Sequence, residues 1–377
     1  MRQNSFCKSQ MKSDHNESGS VSAEITVGLY TVGEISRDPD LFGPYCDPRS
    51  YLPRDLAAWR DLVISNPYAE KDDLALILVL KGNVIAGRLG FYGASAVCGG
   101  SERRTYWMDG FFVEREARQM GIGGVMMRVA LRRCRSLLGC GGPSPEAQKL
   151  FKTAGMQELP RLRRFVYFFN AKPIVGWYLQ NRFIRSISAA LLTPLVKVYY
   201  ELRRRPLSTP LTFKPVSQFS PKIDDLPPPP APNYFPRPAR LLNWVLSHRR
   251  IWAFEIYRRE ELLGYCLLKR IRQGAGWPHY LPEMTVGCLL DVHLRESTPE
   301  VAASVLSFVL CFFRQRRVDV LECQVDDATM ENLCRHYGMI HVGGFRVFFR
   351  PPPGHTLDPA ALWHLTFGTG DVLLMGE

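Results

Sequence analysis

The residues with the sharpest chemical meaning are Val113-Glu114-Arg115-Glu116-Ala117-Arg118-Gln119-Met120-Gly121-Ile122-Gly123-Gly124. A strand is expected to end at Val113, and a helix to open at Gly123. Glycines in such a turn permit unusual φ values and let backbone N–H groups approach a ligand with no Cβ in the way. The first N–H groups of a helix have no internal partner and carry the positive end of its dipole. Together these features make a phosphate cradle, and Arg128, Arg132, Arg133 and Arg135 add positive charge along the same helix. Two known phosphate patterns fail here. A P-loop needs Lys-Ser/Thr after its glycines, and none follows. A dinucleotide fingerprint needs a third glycine where Met126 stands, and an acidic residue where Gly141 and Gly142 stand. What remains is Arg/Gln-x-x-Gly-x-Gly/Ala, met by Arg118, Gly121 and Gly123.

The elements that must hold this loop read as mixed α/β. A helix is expected over Asp55–Val63, then strands over Leu74–Leu80, Val84–Tyr92 and Thr105–Val113. Helices follow from Gly123 to Leu138 and over Ser144–Ala154, and Leu162–Phe169 closes the unit as a strand. The C-terminal half repeats the order: strands Trp252–Arg258, Leu262–Arg270 and Val286–Leu294, helix Pro299–Arg314, strand Val318–Val325, helix Ala328–Tyr337 and strand Gly344–Arg350. Leu150–Met156 aligns with Leu333–Met339, and Val84–Gly87 with Glu261–Gly264, as an internal repeat would. Between the halves, Pro206–Pro238 includes four consecutive prolines, Pro227–Pro230, and is expected to be a stiff connector. The expected division is 1–20 as a tail, 21–170 as the first domain, 171–238 as basic helix plus linker, 239–350 as the second domain and 351–377 as a C-terminal tail.

On these residues the sequence resembles the GCN5-related N-acetyltransferase (GNAT) family. In that family the Arg/Gln-x-x-Gly-x-Gly/Ala loop joins strand to helix, and its backbone amides hold the pyrophosphate of acetyl-CoA. The resemblance covers roughly residues 25–170, with a looser copy lacking the glycine loop over roughly 240–350. Arg115 replaces a proline common in the family. It implies two tandem GNAT-like acyl-CoA N-acyltransferase domains, with acetyl-CoA or another acyl-CoA as cosubstrate. Arg118, Gln119, Met120, Gly121, Ile122, Gly123 and Gly124 would bind the cofactor, and the strand backbone near Phe111 and Val113 would polarise the thioester. The family's later Ala-x-x-Leu-Tyr-x-x-x-Gly-Phe is matched by Ala147–Met156, with Phe151 in place of the tyrosine that protonates the leaving thiolate. The chain end, Trp363–Asp371, resembles the Trp-x-x-Thr-x-Gly-Asp-x-Asp tail of some bacterial acyltransferases, with Thr369 replacing an acidic residue; Asp371 would either hydrogen-bond a polar substrate or sit in a surface tail.

Acyl transfer to an amine needs a deprotonated amine, a polarised carbonyl and a reprotonated thiolate. Asp109 is the one ionisable residue between Tyr106 and Val113. Burial in that strand would raise its pKa; it serves either as general base or as a structural or substrate-orienting carboxylate. With Phe151 lacking a proton to give, Ser144 or a water would act as the acid. The acceptor is a small-molecule or peptide amine. The reading from another class is a catalytically silent CoA-binding or interaction module.

Composition bounds these readings. Length 377 suits two or three domains of about 100–200 residues, and 46% hydrophobic with 22% charged residues excludes a chain disordered throughout. Met1–Ser20 is polar and lacks the apolar stretch of a secretory signal, so no export is expected. Ten cysteines without a Cys-x-x-Cys pair give neither a disulfide framework nor a zinc signature, so reduced thiols, a cytoplasmic location and no metal are expected. The net charge is +12, of which Arg161–Arg205 supplies ten Lys/Arg against Glu201. No nucleic-acid motif accompanies it, so no nucleic-acid partner is expected. Within that segment Ile184, Ile187, Leu191, Leu195, Val198 and Leu202 recur at helical spacing beside Arg182, Arg185 and Lys197. This is either a helix bracing the two domains or an interfacial helix in peripheral contact with an anionic membrane.

Overall fold

The structure, a computed structural model, describes residues 24–38, 40–41, 56–139, 144–160, 162–179, 181–203, 210–273, 284–355 and 363–366. The N-terminal tail, Asp55, and the chain end with Thr369 and Asp371 lie outside the described residues. In chain order the first half contains β1 (Ile25–Thr31), α1 (Val32–Arg37), α2 (Leu56–Ile64), β2 (Leu74–Lys81), β3 (Val84–Cys98), β4 (Ser101–Val113), α3 (Ile122–Arg133), β5 (Leu137–Gly139), α4 (Pro145–Thr153), β6 (Gln157–Glu158), β7 (Leu162–Phe168), α5 (Lys172–Tyr178) and α6 (Arg182–Leu202). Next come β8 (Thr212–Val216), β9 (Asn233–Tyr234), α7 (Ala239–His248), β10 (Trp252–Arg258), β11 (Glu261–Gln273), β12 (Met284–Leu294), α8 (Pro299–Gln315), β13 (Val320–Val325), α9 (Ala328–His336), β14 (Ile340–Phe345), β15 (Phe348–Arg350) and β16 (Trp363–His364).

Two mixed sheets result, and they trade strands. The first runs β1-β2-β3-β4-β5-β15-β6; the second, read from its β8 edge, runs β8-β10-β11-β12-β13-β7-β14. In each, the sixth position is filled by a strand from the other half of the chain. Expected as the closing strand of the first unit, Leu162–Phe169 forms as β7 but pairs with β13 and β14 of the second sheet. The single strand expected over Gly344–Arg350 is likewise two: β14 stays in the second sheet, and β15 lies between β5 and β6 of the first.

The repeat is visible in the registers. Both second hairpins carry a bulge at the same place: Val79 faces Gly87 and Leu80 faces Ile85, while Ile256 faces Gly264 and Tyr257 faces Leu262. α4 and α9 also end alike, on a left-handed glycine, Gly155 at φ 79° and Gly338 at φ 77°, the C′ position that glycine favours.

Two further expectations change. The helix expected to reach Leu138 ends at Arg133, because Leu137 and Leu138 are drawn into the sheet beside Tyr106 and Trp107 and buried there. The proline-rich stretch is more than a connector: its Thr212–Val216 forms β8, the edge partner of β10. An edge position tolerates Pro215, which has no N–H to give to a ladder.

Each face of the first sheet has its own core. On one side Leu89, Phe91 and Met108 meet Ile122, Met126 and Phe151 of α3 and α4. On the other, Tyr92, Trp107 and Leu138 join a core shared with Trp244 of α7, Tyr265 of β11 and Phe349 of β15.

Candidate active site

The glycine loop sits where β4 leaves its neighbour. β4 pairs with β5 only at Tyr106 and Trp107, so beyond Trp107 the described part of β4 has β3 on one side and an opening on the other. In that opening β4 bulges: Arg88 faces Phe112 and Gly90 faces Asp109, leaving Gly110 and Phe111 opposite Leu89. Gly110 takes φ 56°, a left-handed value that glycine reaches without the Cβ penalty. A bulge of this kind removes backbone groups from the ladder, here beside the route from β4 to α3.

The loop then closes on itself. Arg118 Nε donates to the Val113 carbonyl at 3.2 Å, a short 3-10 turn covers Arg118–Met120, and Gly121 enters α3 at φ 71°. Among the described residues no side chain caps α3, and no acidic residue lies in its first turn. Its opening therefore keeps free amides and a positive dipole end, as a phosphate site requires. Gln119, Met120 and Gly121 are exposed, and a Cβ on Gly124 would meet nothing within 4 Å. Gly123 differs: its Cβ would lie 3.3 Å from Leu150 and 3.4 Å from Phe111, so it serves close packing of α3 against β4 and α4. Gly87 does the same from beneath, since a Cβ there would stand 2.9 Å from Ile122.

Among the described residues of the second half, the helix that follows β12 opens differently. Thr298 caps α8 through a hydrogen bond from the Val301 N–H at 3.4 Å, Pro299 removes one donor, and Glu300 places negative charge in the first turn.

Asp109 lies on the opposite face of the first sheet from α3, with Tyr92 and Trp107. The Tyr92 hydroxyl donates to its Oδ2 at 3.1 Å. Burial pushes the Asp109 carboxyl above its ordinary range, against the pull of Arg88, the Tyr92 hydroxyl and Arg249. Arg88 is itself lowered by burial, and its Nε has no hydrogen-bond partner among the described residues. Ser144 caps α4, accepting from the Ala147 N–H at 3.3 Å. Phe151 is buried, with its ring 5.6 Å from both Phe111 and Phe348. The position of the family's acid is thus an aromatic contact.

A cavity of about 610 Å³ opens between the two sheets. Tyr68, Tyr234 and Tyr265 line it with Arg237, Asp291, His293 and His364. Arg237 ties it to β4: its guanidinium lies 5.6 Å from the Trp107 ring and its Nε 3.3 Å from Asp291 Oδ2. Asp291 also accepts from the Tyr265 hydroxyl at 3.2 Å. Asp291 faces Leu267, three residues past Gly264, as Asp109 faces Gly90, three past Gly87. The repeat thus places a carboxylate at one register position of each sheet. The sequence carried that signal, a lone acid inside an apolar strand, at both sites.

At the cavity wall, His364 Nδ1 lies 3.7 Å from Asp326 Oδ1. Burial pushes Asp326 up to about 7 and His364 down to about 4, so near pH 6 the contact joins a neutral acid to a neutral imidazole. The unfolded Asp326 releases its proton near 3.8 while the folded one holds it to about 7. Folding stability linked to this group is therefore full at low pH and lost as pH rises across that window. Asp326→Asn is expected to flatten this fall and to raise the melting temperature at pH 8 relative to pH 5, measured by thermal denaturation.

Among the described residues no His/Cys/Asp/Glu group is placed to hold a metal ion, and no helix is long and apolar enough to cross a membrane.

Residues 36–156, spanning α2 to α4 and the glycine loop, match the acetyltransferase (GNAT) family. No curated protein matches the chain in sequence. Among solved structures, the chain is similar to N-myristoyltransferase from Saccharomyces cerevisiae with bound myristoyl-CoA, at 11% identity and TM-score 0.51, covering 90% of this chain and 86% of that one. A conserved protein of unknown function from Enterococcus faecalis gives 11% identity and TM-score 0.51, covering 86% of this chain and 72% of that one. A GCN5-related N-acetyltransferase from Anabaena variabilis has 12% identity and TM-score 0.48; 79% of this chain spans 66% of that one. The match to the acetyltransferase (GNAT) family thus covers residues 36–156, which lie in the first of two units that share their strands.

Proposed function

We propose that the protein is an acyl-CoA-dependent N-acyltransferase that uses one acyl-CoA site, in its first unit, and takes its amine acceptor from the cavity between the sheets. The observation that carries this reading is the uncapped, glycine-opened start of α3 beside the bulged, unpaired edge of β4. Exposed Gly121, and half-buried Gly124 with open space where a Cβ would stand, leave room for a pyrophosphate, which the amides of Ile122, Gly123 and Gly124 would bind. Acyl-CoA supplies an activated thioester. The freed backbone of Gly110 and Phe111 would polarise its carbonyl. Asp109, kept basic by burial and oriented by Tyr92, would take the amine proton. Neutral His293 and His364 with the Asp291 carboxylate suit an acceptor that brings N–H donors.

Phe151 favours a second reading, a CoA-binding protein without turnover, because it is buried and has no hydroxyl to reprotonate a thiolate. Thiol release from acetyl- and longer acyl-CoA in the presence of an amine panel separates the two. Turnover with some amine is expected, and Asp109→Asn is expected to lower it about 100-fold or more, on the scale of a lost general base, and to remove the acid limb of the pH–rate profile. Binding without release across the panel would leave the silent reading.

A further inference from the structure

α6 carries its apolar face outward. Ile184, Ile187, Leu191, Leu195, Val198 and Leu202 follow at steps of three and four, a spacing that lines one helix face. A helix on a water-exposed protein turns such a face to the core, yet these six are 47–83% exposed. Of the fifteen exposed large apolar side chains among the described residues, ten lie between Tyr178 and Leu202. That concentration is a patch and not scatter, and patches of this kind mark contact surfaces.

The helix cannot roll to hide it. Tyr200, on the opposite side, is buried; its hydroxyl accepts from the Phe168 N–H at 3.2 Å, and its ring lies 3.8 Å from Tyr167. Thr193 accepts from the Ala171 N–H at 3.1 Å, and Ala189 is buried against Ala171 and Val175. These anchors all fix α6 to α5 and the second sheet, so it does not act as a brace between the sheets through them.

Charge selects the occupant. From Lys172 to Arg203 the chain has five Lys/Arg against Glu201, and Glu201 is taken by Arg314 at 2.7 Å. Lys197 and Arg203 are exposed at the margin of the apolar face. A second copy docked face to face would bring this cationic rim against itself, in a chain already at +12. Anionic lipid complements both the apolar face and the rim.

We propose that α6 docks the protein on an anionic lipid bilayer. It would lie in the interface plane, with the six apolar residues at the acyl boundary and Lys197 and Arg203 among the headgroups. This goes beyond the acyl-transfer reading and does not depend on it.

Flotation of the full chain with vesicles tests it. Binding is expected to phosphatidylcholine vesicles containing phosphatidylglycerol at 0.1 M salt, at least tenfold above pure phosphatidylcholine. It should fall steeply toward 1 M, as screening shortens from about 10 Å to about 3 Å. The double variant Leu191→Asp/Leu195→Asp should lose at least tenfold of this binding with an unchanged melting curve, since both positions face solvent. No flotation at low salt, or flotation that survives both substitutions, would overturn the proposal. So would a concentration-dependent dimer that the double variant dissociates, which would assign the face to a second copy.

Discussion

Cutting the chain at Pro206 is expected to leave two pieces that do not fold alone but assemble when expressed together. The first piece keeps β5 and β6 but loses β15, the strand that lies between them; the second keeps β13 and β14 but loses β7 from between them. β7 alone buries Leu162, Phe165, Val166, Tyr167 and Phe168. At about 1.5–3 kcal/mol for each large apolar side chain removed from water, that strand matches the roughly 5–15 kcal/mol that holds a whole domain folded. Phe348 and Phe349 of β15 are equally buried on the other side of the exchange. Circular dichroism and thermal melting of each piece, separately and mixed, would check this. A cooperative melt from either piece alone would mean that the exchanged strand is dispensable.

Gly124→Glu is expected to weaken CoA binding about 10- to 100-fold while leaving the fold as stable or slightly more so. The two effects separate because they have opposite signs. An added Cβ at Gly124 meets no atom within 4 Å, and replacing a helical glycine recovers backbone entropy. A carboxylate in the first turn of α3 also favours the helix dipole. The same carboxylate would stand beside the pyrophosphate, where like charges a few ångströms apart repel by about 1–4 kcal/mol according to exposure. Gly123 is the wrong place for this experiment, because its Cβ would press on Leu150 and Phe111. Gly121 is little better, since φ 71° strains any side chain. Thermal denaturation and a binding isotherm on the same sample read both effects. Weakened binding with a lowered melting temperature would mean that the variant acts through folding.

The loop was legible in the sequence because everything that makes it is local. Arg118, Gly121, Gly123 and Gly124 lie within seven residues of one another, and helix-start chemistry depends on nothing further away. The matching helix ends at Gly155 and Gly338 were legible for the same reason. Strand exchange was not. Phe348–Arg350 reads as a strand from its apolar residues, but nothing in it says that its partners are Leu137–Gly139, about two hundred residues earlier. Continuous apolar character likewise merged β14 with β15, and hid the change from helix to strand after Arg133. The cavity was missed because Arg237, Asp291, His293 and His364 come from separate segments and meet only when the two sheets pack. Outward exposure of the α6 stripe could not be read at all: spacing identifies an apolar face but not the direction in which it points.

We propose that one unit of this double fold binds CoA and the other does not. It rests on an open, uncapped α3 against an α8 capped by Thr298 and begun with Pro299 and Glu300. Calorimetric titration of the intact chain with CoA tests it most directly. One site per chain, abolished or strongly weakened in Gly124→Glu, is the expected result. Two sites per chain, or a single site indifferent to Gly124→Glu, would contradict it.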